Sequence, residues 1–307
     1  MIPPLRIALS GGGMKGLAHV GALEVLQERG LLRCVKEYIG TSAGALISFC
    51  MTLGYTLSEL RTLCTMFDFT LLQNLDPETI LQFPERFGLD DGKNVEKLLG
   101  ILMRTKGISP DLTFEEVVGA LPTTPRLRVY AVDVHACSIK EFSLEKTPRV
   151  PILQAIRASI SIPFVFTPVC DIETGHVLVD GGLIAHFPFH HLSDREREET
   201  IGIAFHDADR VKEMPIPEGD CLKVGLAGYI LQLYWSAYYP QNVALYKAWA
   251  HRILFISCGQ FPAVHFDASI EQKCALIHRG REGAEEFLKR CVTADNRQIP
   301  VRRYSVS

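Results

Sequence analysis

Twice within its first 54 residues the chain runs from a short apolar strand through a glycine turn into an apolar helix, and this repetition constrains the fold more than any other feature. Leu5 to Leu9 is apolar and β-compatible. Ser10-Gly11-Gly12-Gly13 follows, and Met14 to Arg29 reads as a helix closed by Gly30. Glu24, Gln27 and Glu28 fall on one side of that helix, leaving the remainder to pack on a sheet. The second unit has the same order: a strand over Val35 to Ile39, the turn Gly40-Thr41-Ser42-Ala43-Gly44, and an uncharged helix over Ala45 to Leu53 that ends at Gly54. Consecutive units of this kind build a parallel sheet with helices on its faces.

Beyond these units, helical patterns occupy Leu57 to Leu121, interrupted by a Pro-, Gly- and acid-rich passage from Asp76 to Gly92. Thr113-Phe114-Glu115-Glu116 carries a capping-box signature. This span reads as a helical insertion or lid. Strands resume at Leu127 to Val134, Ile139 to Leu144, Thr167 to Ile172, His176 to Val179 and Ile201 to Phe205. The C-terminal third adds an apolar run at Ile253 to Ile256 and an amphipathic helix around Ile270 to Arg290. Neither a repeat nor a linker divides the chain, so residues 1–307 are expected to form a single domain. Its core spans about 5–210, with the insertion at 57–121 and a helical and strand region at 211–307.

A hydrophobic fraction of 47% over 307 residues supplies a core of that size. The net charge of -3 offers no broad basic surface, which argues against nucleic acid as a partner. Nine cysteines, none spaced as CxxC, suit a reducing compartment and read mostly as small buried residues. The N-terminus lacks the basic and long apolar regions of a signal peptide, so the expected location is cytoplasmic. The longest uncharged apolar stretch, Val224 to Tyr239, has 16 residues. A bilayer span needs roughly 20. It reads as a core helix, with a membrane-surface segment as the competing reading because of its tyrosines and the nearby Trp249.

Three motifs carry chemistry. Gly40-x-Ser42-x-Gly44, between a strand and a helix, has the form of a nucleophile elbow, and the helix N-terminus behind Ser42 favours developing negative charge. The consecutive glycines 11 to 13 leave backbone N–H groups able to converge on an oxyanion. A phosphate-cradling loop is disfavoured because Lys15 is followed by Gly16 rather than Ser or Thr. Asp180-Gly181-Gly182 ends an apolar strand. Alone it is a β-turn; in company with the other two motifs it supplies a candidate base.

In this order, Gly11-Gly12-Gly13-Met14-Lys15-Gly16, Gly40 to Gly44 and Asp180-Gly181-Gly182 resemble the patatin-like phospholipase family. Ala158-Ser159-Ile160-Ser161-Ile162-Pro163-Phe164 resembles the segment that precedes the family's Asp strand. The resemblance spans about residues 5–190. It implies a three-layer α/β/α sandwich with a mainly parallel central sheet, and hydrolysis of acyl esters in phospholipids or related lipids. An acyl-lipid substrate leaves peripheral contact with membranes open. Carried onto this chain, the resemblance makes Ser42 the nucleophile, Asp180 its base, and Gly11, Gly12 and Gly13 the oxyanion hole, with no metal or other cofactor. Lys15 matches a basic position of the glycine motif and reads either as a headgroup contact or as a solvated helix-start lysine. No motif specifies the headgroup, the acyl chain or a protein activator.

The chain departs from the family pattern at His186, where an Asn usually orders the turn that holds the Asp, and at Ser10, where an Asp is frequent. Two other readings accompany the dyad. Ser42, Asp180 and His206 run in the chain order of an α/β-hydrolase triad, and the substitution at His186 fits a catalytically inactive lipid- or protein-binding module. His186, His190 and His191 cluster without the further ligands a zinc site needs.

Overall fold

The computed structural model describes residues 3–74, 81–205, 244–259 and 261–297. Its centre is an eight-stranded sheet ordered β10-β9-β1-β2-β4-β8-β7, with β5 also paired to β4. Five strands run parallel: β1 (Arg6–Leu9), β2 (Glu37–Thr41), β4 (Arg126–Asp133), β9 (Thr200–Phe205) and β10 (Ile253–Ile256). Antiparallel to β4 lie β5 (Ser138–Ser143) and β8 (Val177–Asp180), and β7 (Val169–Cys170) is antiparallel to β8. Outside this sheet, β3 (Gly88–Asp90) pairs with β6 (Phe164–Phe166).

Alternation along the strands divides the apolar residues between two cores. Ile7, Leu9, Tyr38, Leu127, Val129, Ile201, Ile203 and Leu254 point to one face. There they meet α1 (Leu17–Glu28), α2 (Ala43–Thr52), α3 (Leu57–Met66) and the long C-terminal α8 (Ile270–Arg297). Ala8, Ile39, Tyr130, Ala204 and Ile253 point the other way, into a smaller core closed by Phe187, Phe189 and Leu192. The result is the mainly parallel α/β/α arrangement expected. A backbone-to-backbone crossing locks α1 to α8: a Cβ at Gly21 would run into Ile277 O, and one at Gly280 into Ala18 O. Arg281 then bridges Glu24 and Glu28 at 3.1 and 2.9 Å.

Between α2 and β4 lie α3, α4 (Lys93–Thr105) and α5 (Phe114–Ala120). The capping box read at Thr113 is formed, with Glu116 N donating to Thr113 Oγ1 and the Glu116 carboxylate accepting from Thr113 N at 2.9 Å. The passage from Asp76 to Gly92 contains the strand β3, whose pairing to β6, 76 residues later, leaves no local periodicity to read. Of the strand expected at Thr167 to Ile172 only β7 forms, and β6 ends just before it, at Phe166. Cysteine burial also differs from expectation. Of the eight described cysteines, Cys50, Cys64 and Cys258 are buried, whereas Cys34, Cys137, Cys170 and Cys274 are exposed on turns, an edge and a helix face. No helix of the described residues is long and apolar enough to cross a membrane. His206 and the Val224 to Tyr239 run lie outside the described residues.

Removing the Thr113 hydroxyl strands one first-turn N–H of α5. Thr113→Ala is expected to lower unfolding free energy by about 1 kcal/mol, read as a reduced urea midpoint at unchanged slope.

Candidate active site

Ser42 follows the last residue of β2 and caps α2 at φ 55° and ψ -124°. A left-handed φ is costly for serine, on the order of 1–3 kcal/mol. The turn is held because the Ser42 carbonyl already accepts from Ala45 N and Leu46 N of the helix, at 2.9 and 3.2 Å. Its side chain sits at the helix's positive end, 6% exposed.

The register of β4 shows how Asp180 reaches the same place. Tyr130 pairs with Thr41 of β2 and with Glu141 of β5, while Ala131 pairs with Asp180 of β8 and with Lys140 of β5. Each strand residue has only two edges, so β2 and β8 share one edge of β4. One runs parallel to it and the other antiparallel, and they meet head to head. Their C-terminal residues, Thr41 and Asp180, oppose consecutive positions of β4, which are about 3.3 Å apart along the strand. Ser42 and Asp180, 138 positions apart in the chain, emerge from that junction together. Thr41 Oγ1 donates to Ala185 O at 2.8 Å, which ties the end of β2 to the turn α7 (Gly182–Ala185) that follows the Asp.

A third segment closes the junction. Helix α6 (Ile152–Ser159) ends beside it, and Ser159 Oγ accepts from Ser42 N at 3.0 Å while donating to Tyr130 O at 2.6 Å. Two residues on, Ser161 O accepts from Asp180 N at 2.8 Å. Arg157, itself buried, donates to Ser161 Oγ at 2.5 Å and to the carbonyls of Asp91 and Thr167 at 3.1 Å. The sequence motif drew attention to Ala158-Ser159, but nothing in it assigned a task to Ser159, Ser161 or Thr41.

The glycine loop passes on the other side. Gly13 adopts φ 54°, and a side chain there would strike the Ala263 carbonyl, which also accepts from Met14 N at 2.8 Å. The three glycine amides are not equivalent. Gly11 N donates to His186 O at 2.8 Å, whereas Gly12 N and Gly13 N have no acceptor among the described residues. The His186 imidazole packs between the two loops: a Cβ on Gly11 would stand 3.0 Å from its Nδ1, and one on Gly182 would stand 3.3 Å from it. Behind the loop, buried His19 brings Nε2 within 2.9 Å of Ser10 O. Burial lowers its pKa to about 4, so the neutral ring donates that bond. Lys15 is 3% exposed, which removes the reading of a solvated helix-start lysine. Among the described residues, no group of three His, Cys, Asp or Glu is arranged to hold a metal.

A family model described as patatin-like phospholipase matches residues 7–193. The uncharacterized protein YqhO of Bacillus subtilis (strain 168) is 31% identical over 296 residues, covering 91% of this chain and 96% of that protein. Probable lipid hydrolase 463L of Invertebrate iridescent virus 6 is 30% identical over 201 residues, covering 64% of this chain and 67% of that protein. Among solved structures, VipD from Legionella pneumophila superposes with a TM-score of 0.58 at 16% identity, over 94% of this chain and 67% of that one. The type III effector ExoU superposes at 0.57 and 18% identity, over 94% of this chain and 53% of that one. These two likenesses concern the fold.

Asp180 is 4% exposed, and burial pushes its pKa from 3.8 to about 7, against the opposing hydrogen bonding of the Ser42 hydroxyl and Gly182 N. Oδ1 accepts from Gly182 N at 2.6 Å, while Oδ2 is buried and makes no hydrogen bond of standard geometry among the described residues. An unfolded Asp loses its proton near 3.8 and the folded one near 7, so stability falls as pH rises between those values and stays low above them. Asp180→Asn is expected to abolish this dependence. It should gain roughly 2–4 kcal/mol over the wild type at pH 8 and nothing near pH 4, measured by denaturant unfolding at both pH values.

Proposed function

This chain belongs to the patatin-like phospholipase family, and from that premise we propose that it is a lipid acyl hydrolase in which Ser42 and Asp180 act as a catalytic dyad. The head-to-head meeting of β2 and β8 is the observation that carries the reading, because it delivers a strained serine and a buried, under-bonded carboxylate to one point. In the proposed cycle, Ser42 Oγ attacks the ester carbonyl while its proton passes to Asp180. The tetrahedral oxyanion is held by Gly12 N and Gly13 N, and Gly11 N serves the loop through its bond to His186 O. Collapse breaks the ester C–O bond, and the departing alcohol takes the proton from Asp180. Water then gives a proton to Asp180 and attacks the acyl-Ser42; collapse breaks the acyl C–Oγ bond, releasing the fatty acid, while Ser42 Oγ takes the proton back from Asp180. No metal or other cofactor enters this scheme.

Phospholipids and related acyl lipids are the proposed substrates, in keeping with the family and with the name of the viral relative. Peripheral contact with a lipid surface fits the exposed Leu183 and Ile184 just past Asp180, and exposed Phe164 just past Ser161. For Lys15, burial supports a role in holding the glycine loop from behind in place of a headgroup contact. We also propose that the whole chain forms a single domain. The triad reading rests on His206, outside the described residues, and the dyad needs no contribution from it.

Ser42→Ala and Asp180→Asn should each cut hydrolysis of a phospholipid or short acyl ester by roughly 10³-fold or more. Fluorophosphonate should label the wild type at Ser42. Retained turnover in either variant sinks the dyad. Because the carboxylate is the working form, kcat/KM should rise with pH through about 7, and a profile flat from pH 5 to 8 would speak against Asp180 as base.

A further inference from the structure

We propose that Ser159 is a positioning residue for the reaction: its hydroxyl seals the junction of β2 and β8 and sets the alignment of Ser42 against Asp180. The inference rests on the dyad reading. At the junction, the β4 edge passes from one partner strand to the other between Tyr130 and Ala131. There the ladder has no strand to continue it, and the Tyr130 carbonyl is met by Ser159 Oγ at 2.6 Å. The same oxygen accepts from Ser42 N at 3.0 Å. One fully buried hydroxyl therefore joins the nucleophile's backbone to the strand that carries the base opposite Ala131.

The other end of the segment fixes the base. Ser161 O accepts from Asp180 N at 2.8 Å, so the three residues from Ser159 to Ser161 hold the main-chain amides of both reacting residues. Arg157 steadies this segment from the same helix by its bond to Ser161 Oγ. Ser42 depends on such a hold because it sits at φ 55°, where nothing intrinsic to serine keeps it. Thr41 Oγ1, bound to Ala185 O, ties β2 to the turn after the base by a separate bond, so the junction is held at more than one point. Losing Ser159 Oγ should let the elbow relax without unfolding the sheet.

The test compares Ser159→Ala with Ser143→Ala. Ser143 is equally buried and likewise donates one bond, to Glu141 at 3.0 Å, and accepts one, from Lys146 N at 3.2 Å, in β5 away from the dyad. For Ser159→Ala, kcat and the rate of fluorophosphonate labelling are expected to fall about 10- to 100-fold, with KM nearly unchanged. Ser143→Ala should leave both at wild-type values despite a similar loss of thermal stability. The acidic limb of the pH profile should also move to higher pH in Ser159→Ala, since a displaced Ser42 hydroxyl no longer favours the Asp180 carboxylate. Ser159→Thr, which keeps the hydroxyl, should recover most of the labelling rate. If Ser159→Ala does not fold, Ser159→Cys, which keeps bulk but bonds weakly, is read in the same way.

Labelling of Ser159→Ala as fast as the wild type, or losses matched by Ser143→Ala, would overturn the positioning role while leaving the dyad intact. A wild type that takes no label at all would overturn the dyad, and this inference with it.

Discussion

Everything in the candidate site depends on one edge of β4 serving two strands that approach from opposite directions. A fully parallel sheet could bring a nucleophile elbow to the C-terminal end of β2, but a neighbouring parallel strand would offer its residue one full strand spacing away, roughly 4.8 Å. Reversing β8 and ending it where β2 ends removes that gap, because both chains leave the sheet at adjacent rungs of the same strand. The arrangement leaves main-chain groups unpaired at the meeting point. Thr41, Ser159 and Ser161, all buried or nearly so, supply the missing bonds. Buried polar groups of this kind are tolerated only when satisfied, and these are satisfied by bonds that also fix the two side chains.

The same constraint explains which parts were legible in the sequence. The two strand–glycine–helix units were, because their strands lie within a few residues of their helices and leave a local pattern. So was the Thr113 capping box, which involves four neighbouring positions. Ser42, Asp180 and the glycine loop were recognisable as motifs in a particular order. The antiparallel sense of β8 and its place on the edge already used by β2 were not, since strand direction leaves no trace in composition. The β3–β6 pair is invisible for a related reason: three-residue strands whose partners lie far along the chain have neither length nor periodicity.

Within the glycine loop, sequence alone treats Gly11, Gly12 and Gly13 alike. The fold separates them through a carbonyl contributed from the far end of the family core, His186 O, which occupies the Gly11 amide. His186 itself read as a departure, yet its ring fills the space between the glycine loop and the turn after Asp180. A side chain larger than the usual Asn is accommodated there because glycines face it on both sides. The cysteines illustrate the opposite error: burial inferred from residue type fails where Cys34, Cys137, Cys170 and Cys274 fall on surface turns, edges and helix faces.

Burial also bears on why a carboxylate alone suits the proposed base. An exposed Asp is too weak a base near neutral pH to take a serine proton effectively, and hydrolases with a histidine solve this with a group that titrates near 7. Here the low-dielectric pocket moves Asp180 to about the same value through burial. In the proposed cycle the helix dipole behind Ser42 and the Gly12 and Gly13 amides, without an acceptor among the described residues, face the opposite charge problem, negative charge on substrate oxygen. Both solutions draw on the same property of the junction, its exclusion of water. That property makes the charged carboxylate unfavourable for folding, so the strands around it must be held by bonds independent of Asp180's own side chain. Ser161 O to Asp180 N, Ser159 Oγ to Ser42 N and Thr41 Oγ1 to Ala185 O meet that requirement, because none of them changes when the carboxylate gains or loses its proton.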